Sequence, residues 1–358
     1  MQNRWTSDLL QTGRIEEWTP PEGKTAGVEH YFSSAASIIE AGCSGQGFQF
    51  HFTANTDEVP LTGPKSVVFV MSEENGLLPR YAGSVGAVFK CYGTKLVSMA
   101  EWFWNHPQLV LSSLAKDAIV CKRVLASRWR WRMAHPRRRA SASTLVHHIP
   151  LGYHSLPPRV LIPWEARAND VFFAGSIRQN VVERSGILQI PNPKQIVRDD
   201  LANSLRKLAA ANKWNLKLRL APGFVPHAVA WGLAAEGTTM SDDEYMKEMA
   251  NSKICLAPRG TSFETFRHYE AASAGCVVVS DRLPQTWFYQ NIPFLFVKDW
   301  RKIDQILDRV LRDPSKLKRL HEETLSWWHS RLSPDALAKF VIGVLRTAAP
   351  QGSVLSAQ

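Results

Sequence analysis

The sequence predicts an α/β protein of two domains, each built on a parallel sheet, with a cleft between them. Three observations carry that expectation. The chain has 358 residues, more than one ordinary core holds and enough for two domains of about 150–200 residues each. Short apolar runs rich in β-branched residues alternate with helical segments in both halves, the pattern of strands joined by crossover helices. Residues Lys253 to Asp281 read as one complete crossover of the kind that builds a parallel sheet. A buried strand over Ile254–Ala257 runs into a turn at Pro258-Arg259-Gly260. A helix follows from about Phe263 to Ala274, then a stop at Gly275 and a second buried strand from Cys276 to Ser280.

The other elements follow in order. The first 60 residues read as irregular, with Ser34–Ala41 the one short helix. Ser66–Met71 (SVVFVM) has the length and β-branched content of a strand. Ala87–Cys91 and Thr144–Ile149 are the next strands, separated by an aromatic-rich mixture of helix and loop over Leu96–Leu114. A proline-containing linker at about 154–168 leads to Val171–Ser176, which opens a second series. Asp199–Asn212 forms a helix with Leu201, Leu205 and Leu208 on one face. Leu216–Leu220 is a strand, and Ser241 caps a helix with Glu244 three residues on. After the crossover come a strand at Phe294–Val297, a helix at Ile303–Leu311, and helices broken at Pro314 and Pro334. The expected domains are 1–160 and 161–345, both Rossmann-like, with 346–358 a flexible tail.

Composition narrows the partners. A hydrophobic share of 45% with 21% charged residues suits a water-soluble globular chain. No apolar run approaches the roughly 18 residues of a membrane span. The start, MQNRWTSDLLQTGRIEEW, has no apolar core of signal-peptide type. The chain as given therefore reads as cytoplasmic, or as a piece trimmed of an anchor. Five cysteines without CxxC spacing read as reduced thiols. The net charge of +11 favours an anionic partner, whether nucleotide phosphate, phospholipid, nucleic acid or acidic glycan.

In a parallel sheet, ligands sit at the carboxyl ends of strands beside helix N-termini. Arg259, Thr261, Ser262, Glu264, Arg267 and Glu270 fall there. The run Pro258-Arg259-Gly260, then Arg267-His268-Tyr269-Glu270-Ala271, then Gly275-Cys276-Val277-Val278-Val279 resembles the donor half of exostosin-type GT-B glycosyltransferases. Three flanking pieces share the resemblance: Asp170–Ser176 with Arg178, Asp243-Glu244-Tyr245 before Ser252-Lys253, and Ile149–Tyr153. Together they cover roughly residues 145–300.

The resemblance implies a GT-B fold, two Rossmann-like domains facing a central cleft, with acceptor in the first and nucleotide-sugar donor in the second. It implies transfer of a sugar from a nucleoside-diphosphate sugar, UDP-linked, to a hydroxyl of a glycan or glycoconjugate. Glu270 would hold the ribose diol, since a carboxylate accepts from both hydroxyls. Arg259, Arg267 and Arg178 would grip the diphosphate, with Arg184 the alternative to Arg178. Gly260 and the amides of Thr261, Ser262 and Phe263 would complete the donor site. No cofactor beyond the co-substrate and no metal are expected, because leaving-group charge in this family falls to side chains and helix dipoles.

One departure stands inside the motif. Many retaining GT-B enzymes carry a Glu eight residues before the ribose Glu; Ser262 occupies that place, and Glu264 lies two later. Candidate bases are therefore Glu73 and Glu74, at the end of a strand facing the cleft, and Glu264. His147 and His148 read more readily as packed histidines. The stretch Arg128-Trp129-Arg130-Trp131-Arg132 with Arg137-Arg138-Arg139 reads as a solvated loop or as a peripheral membrane contact towards a lipid-linked acceptor. Nucleic acid is the weaker alternative. Rival functions are a sugar-nucleotide epimerase or hydrolase on the same scaffold, or a basic membrane- or nucleic-acid-binding protein.

Overall fold

The computed structural model describes residues 3–8, 16–17, 28–71, 73–98, 100–136, 145–158, 160–176, 192–221 and 240–348. Within these, the first half holds β1 (Arg4–Ser7), β2 (Glu16–Glu17), α1 (Val28–Gly42), β3 (Gln49–Thr53), β4 (Gly63–Val70), β5 (Val85–Lys90), α2 (Pro107–Ala134) and β6 (Val146–His148). The sheet order is β2-β1-β3-β4-β5-β6, parallel throughout except for the short β2 edge. β4 buries Val67, Val68, Phe69 and Val70 on both faces, which is what a continuous apolar run achieves between two layers of helix.

The second half holds β7 (Asn169–Ser176), α3 (Pro193–Ala211), β8 (Leu216–Ala221), α4 (Asp242–Ala250), β9 (Ser252–Ala257), α5 (Phe266–Ser273), β10 (Val277–Ser280), β11 (Leu295–Phe296), α6 (Ile303–Leu311), α7 (Pro314–Trp327) and α8 (Pro334–Ala348). Its sheet is all parallel, in the order β11-β10-β9-β7-β8. Ser241 caps α4 by accepting from the Glu244 amide. Gly275 ends the α5 segment at φ +69°, and a Cβ there would meet the His321 ring at 2.7 Å, so both conformation and space demand glycine.

The chain then crosses back to the first half. Phe340 of α8 packs on Phe89 and His147, and the Tyr31 hydroxyl donates to the Leu332 carbonyl at 2.7 Å. One apolar cluster runs from Phe50 and Phe69 under the first sheet to Cys255, Tyr269 and Val278 under the second. Two Rossmann-like units facing each other, with the last helix returned to the first, make a GT-B architecture.

Three expectations are corrected. The first 60 residues contain α1, β1 and β3; both strands carry polar residues (RWTS and QFHFT) that break the apolar run a buried strand shows. The Arg-Trp stretch up to Ala134, expected as a loop, is the end of one helix of 28 residues, α2, which starts at His106 and Pro107 inside the aromatic region; the aromatic residues before it stand in loop and a short 3-10 turn at Ala100–Phe103, the expected mixture. The crossover helix starts at Phe266, three residues later than expected.

Candidate active site

Strand order reverses between β7 and β9, and a doubly wound sheet opens a crevice at the carboxyl ends of strands at such a point. β9 runs out into Arg259, and β7 ends at Ser176. A cavity of about 540 Å³ opens against the first half, with Glu74, Lys116, His148, Arg259, Ser262 and Glu264 among its lining residues. A second depression, beside Asp170, Lys213 and Asn215, sits at the opposite end of β7 and gathers no comparable set of charges.

Five cations converge along the crevice. Arg259 is 3% exposed, lies over the Phe263 ring, and has no acceptor among the described residues for Nε or Nη1. Arg267 lies over the Phe173 ring and donates through Nη2 to the Ala174 carbonyl near the end of β7, while its Nε and Nη1 find no described acceptor. Arg198 of α3 donates through Nη1 to the Ser176 carbonyl at 2.9 Å and hydroxyl at 3.0 Å, leaving Nε unmet. Lys116 of α2 reaches across from the first half to the Thr261 carbonyl. Lys194, one turn before Arg198, completes the set.

Burial and mutual repulsion shape their charge. Lys116 is pushed down to about 8 by burial and then by Arg259, against the pull of Glu74 and Asp117. Lys194 is pushed down to about 8 by burial and then by Arg198. Arg198 goes down to about 9 through burial and the neighbouring Arg267. Buried guanidinium N–H groups without acceptors are costly. Arg259 lines the cavity, while Arg267 and Arg198 stand beside the end of β7; together they form a donor set suited to an anion with several oxygens.

The carboxylates divide into three kinds. Glu73 is spent on structure: Oε2 pairs with the fully buried Lys90 at 2.9 Å, and its oxygens accept from the Asn75 and Leu77 amides at 2.7 Å each. Both of its oxygens are thus taken up by Lys90 and by the turn that follows β4, so the structure gives Glu73 a holding role in the first half. Glu73→Ala should leave the Lys90 charge buried against three carbonyls and destabilise the fold by about 3–5 kcal/mol, read as a lowered midpoint in denaturant unfolding. Glu74 keeps its side chain open to the cleft. Burial of its carboxyl raises the pKa, against the pull of Lys116 and Lys194.

Glu264 and Glu270 are both 3% exposed. Glu264 accepts from the Tyr269 and Tyr289 hydroxyls at 2.5 and 2.6 Å, with His148 Nε2 3.7 Å from its other oxygen. Burial works to raise its pKa, but His148 and the two tyrosines outweigh that and hold the carboxyl below its ordinary value. Glu270 accepts from the His154 and Ser155 amides at 3.2 and 3.0 Å and from the Tyr245 hydroxyl at 2.9 Å. It thereby ties the segment after β6 to the second half, and three of its roughly four lone-pair sites are filled.

The remaining sequence candidates fall as follows. Ser262 lines the cavity, Thr261 supplies the carbonyl that receives Lys116, and Gly260 is buried against Thr265. Because α5 begins at Phe266, the amides of Thr261, Ser262 and Phe263 belong to the preceding loop and not to a helix N-terminus. Arg178, Arg184 and Arg137 lie outside the described residues. Trp131 is 3% exposed and packs under the first sheet with Tyr81 and Val88. This corrects it as a membrane contact, since it faces the core from the inner side of α2. Sequence reasoning missed Lys116, Lys194 and Arg198 and set His148 aside; the i, i+4 spacing of Lys194 and Arg198 beside the end of β7 was the only local signal.

Fold and site together define a GT-B protein with a cation-lined crevice at the strand-order reversal of its second half. That half is exostosin-like in sequence. Residues 227–348 match the family described as the RXYLT1 C-terminal domain. The chain is 34% identical over 84 residues to exostosin-1a of Danio rerio, across 23% of this chain and 11% of that protein. It is 32% identical over 116 residues to ribitol-5-phosphate xylosyltransferase 1 of Danio rerio, across 29% of this chain and 27% of that protein. These matches thus span only a minor part of the relatives' length. Among solved structures, a sucrose-phosphate synthase from Thermosynechococcus elongatus aligns over 97% of this chain and 99% of that one, at 14% identity and a TM-score of 0.49.

Proposed function

We propose that the chain is a glycosyltransferase that takes a nucleoside-diphosphate sugar, UDP-linked, and transfers the sugar to a hydroxyl of a glycan or glycoconjugate. The observation that carries this reading is the row of cations at the strand-order reversal, with unmet N–H groups on Arg259, Arg267 and Arg198. The similarity to exostosins and to a xylosyltransferase supports the reaction class.

In this reading the acceptor oxygen bonds to the anomeric carbon as that carbon's bond to the phosphate oxygen breaks. The electron pair of the broken bond leaves on the nucleoside diphosphate. Arg259, Arg267, Arg198, Lys116 and Lys194 stabilise the charge that grows there, as fixed donors in a partly dry site do most effectively. The acceptor proton passes to Glu264, directly or through His148. Both line the cavity, and the neighbouring His148, Tyr269 and Tyr289 favour the charged form of Glu264 against its burial. Glu74 stands opposite, between two lysines, and orients the acceptor.

Calorimetric titration of a panel of UDP- and GDP-sugars, with a chelator present to check the expected metal independence, tests the donor. Folded protein that binds none of them overturns the reading. Glu264→Gln should leave nucleotide affinity within about threefold and lower turnover by about 100-fold or more, the size of a lost general base. Equal loss of binding and turnover would instead make Glu264 a fold residue.

The lysines set a pH dependence. An anion binds better when Lys116 and Lys194 are protonated, and both lie near 8. Affinity should therefore be fully developed below pH 7 and fall as pH rises through 8 to 9. At pH 8 binding should take up protons, seen as a binding enthalpy that changes with the ionisation enthalpy of the buffer.

A further inference from the structure

The helix α2 has two apolar faces. The inner one buries Leu109, Val124 and Trp131, with Leu109 in the apolar cluster of the second half and Trp131 in that of the first. The outer one presents Leu111 (66% exposed), Leu114 (50%), Leu125 (57%), Trp129 (66%) and Met133 (63%). Their steps of 3, 11, 4 and 4 positions, each close to a whole number of helical turns, place them on one stripe, turned away from the Trp131 side. A run of large exposed apolar side chains along a helix face is a marker of an interaction surface.

Charge names the partner. The helix carries six basic residues and one acidic residue in its 28, and Arg128, Arg130 and Arg132 stand on either side of the Trp129 position. Asp57 meets Arg130 at 3.7 Å, an exposed pair that holds it weakly, and Arg128 donates to the Thr94 carbonyl while remaining exposed. An apolar stripe with a tryptophan and flanking cations fits the boundary of an anionic bilayer. Leu, Trp and Met enter to the depth of the headgroups, and Arg and Lys meet lipid phosphate. No helix among the described residues is long and apolar enough to cross a membrane, so the contact lies along the surface.

We infer that the outer face of α2 docks the protein flat on an anionic membrane surface through Leu111, Leu114, Leu125, Trp129 and Met133, with flanking arginines on the headgroups. The same helix carries Lys116 towards the crevice. Docking therefore sets the orientation of the cleft relative to the bilayer.

The test is flotation of the full chain with vesicles of phosphatidylcholine alone and of phosphatidylcholine mixed with phosphatidylserine. The wild type should float with the mixed vesicles and not with the neutral ones, and high salt should weaken the interaction. Leu125→Glu with Trp129→Glu should weaken it by at least about tenfold, as should Arg128→Glu with Arg132→Glu. Unchanged thermal unfolding of these surface variants confirms that they fold. Three results overturn the inference: no flotation of the wild type, equal flotation of the variants, or a concentration-dependent dimer that Trp129→Glu abolishes, which would make a second copy of the chain the occupant of the stripe.

Discussion

Arg259→Ala should lower affinity for a nucleoside diphosphate by about 100- to 1,000-fold, the cost of removing one partner of a buried charge-assisted contact, while the folded protein is as stable as before or more so. The two halves of this expectation have one cause. Arg259 is buried at the mouth of β9 with two guanidinium nitrogens that meet no described acceptor. Burial pulls its pKa down, against Asp281 and Asp117. Without a ligand it is an expense to the fold, and alanine removes it. Asp281 keeps its partners in the variant, because it accepts from the residue 259 main-chain amide at 2.7 Å and from Trp300 Nε1 at 2.9 Å. Calorimetry for binding and thermal unfolding for stability separate the outcomes. Unchanged affinity would move the anion site elsewhere, and a collapsed fold would make Arg259 a structural residue.

Glu270→Ala should lower stability by about 3–5 kcal/mol, because it orphans three donors in a dry environment at about 1–3 kcal/mol each, less what relaxation recovers. The ribose role that the resemblance implies would have the opposite outcome, a loss of nucleotide binding with the fold spared. The difference lies in the His154 and Ser155 amides and the Tyr245 hydroxyl, all of which close on the carboxylate. Glu270→Gln, which keeps one acceptor oxygen, should cost less than half as much. Denaturant unfolding beside a uridine nucleotide titration decides between the roles. A fully stable Glu270→Ala protein that has lost nucleotide affinity would restore the ribose role.

The contrast between these two residues follows from where their environments come from. Both belong to the segment that the sequence marks most clearly, and both are placed correctly: Arg259 after β9, and Glu270 on the helix before Gly275. The motif names residue types at a strand end. It does not say which of them still has a free face once the rest of the chain has arrived. For Arg259 no described group fills the face; for Glu270 the segment just after β6, more than 110 positions earlier, fills most of it.

The same holds for the elements. Strands read as continuous apolar runs, such as β4 and β9, were legible because both of their faces are buried. β1 and β3 were not, because polar residues interrupt them. The helix α2 escaped for a different reason: its inner and outer apolar stripes lie on opposite sides, so the one-sided periodicity that announces an amphipathic helix cancels. That cancellation also hid the division of the Arg-Trp stretch, in which Trp131 enters the core and Trp129 faces out.

By itself the sequence determined the α/β class, the two-part architecture, the crossover from Lys253 to Asp281 and the presence of Arg259 at a strand end. These rest on local rules of strand length, capping, glycine conformation and helix period that a short window of residues satisfies or fails. The tertiary structure alone decided which charges act together. Lys116 and Thr261 are 145 positions apart, and Arg198 meets Ser176 across 22. It also decided that Glu73 is held by Lys90, and that Glu264, held by Tyr269, Tyr289 and His148, has its pKa lowered despite its burial. Burial and pairing are properties of the space around a side chain, and only the folded chain fills that space.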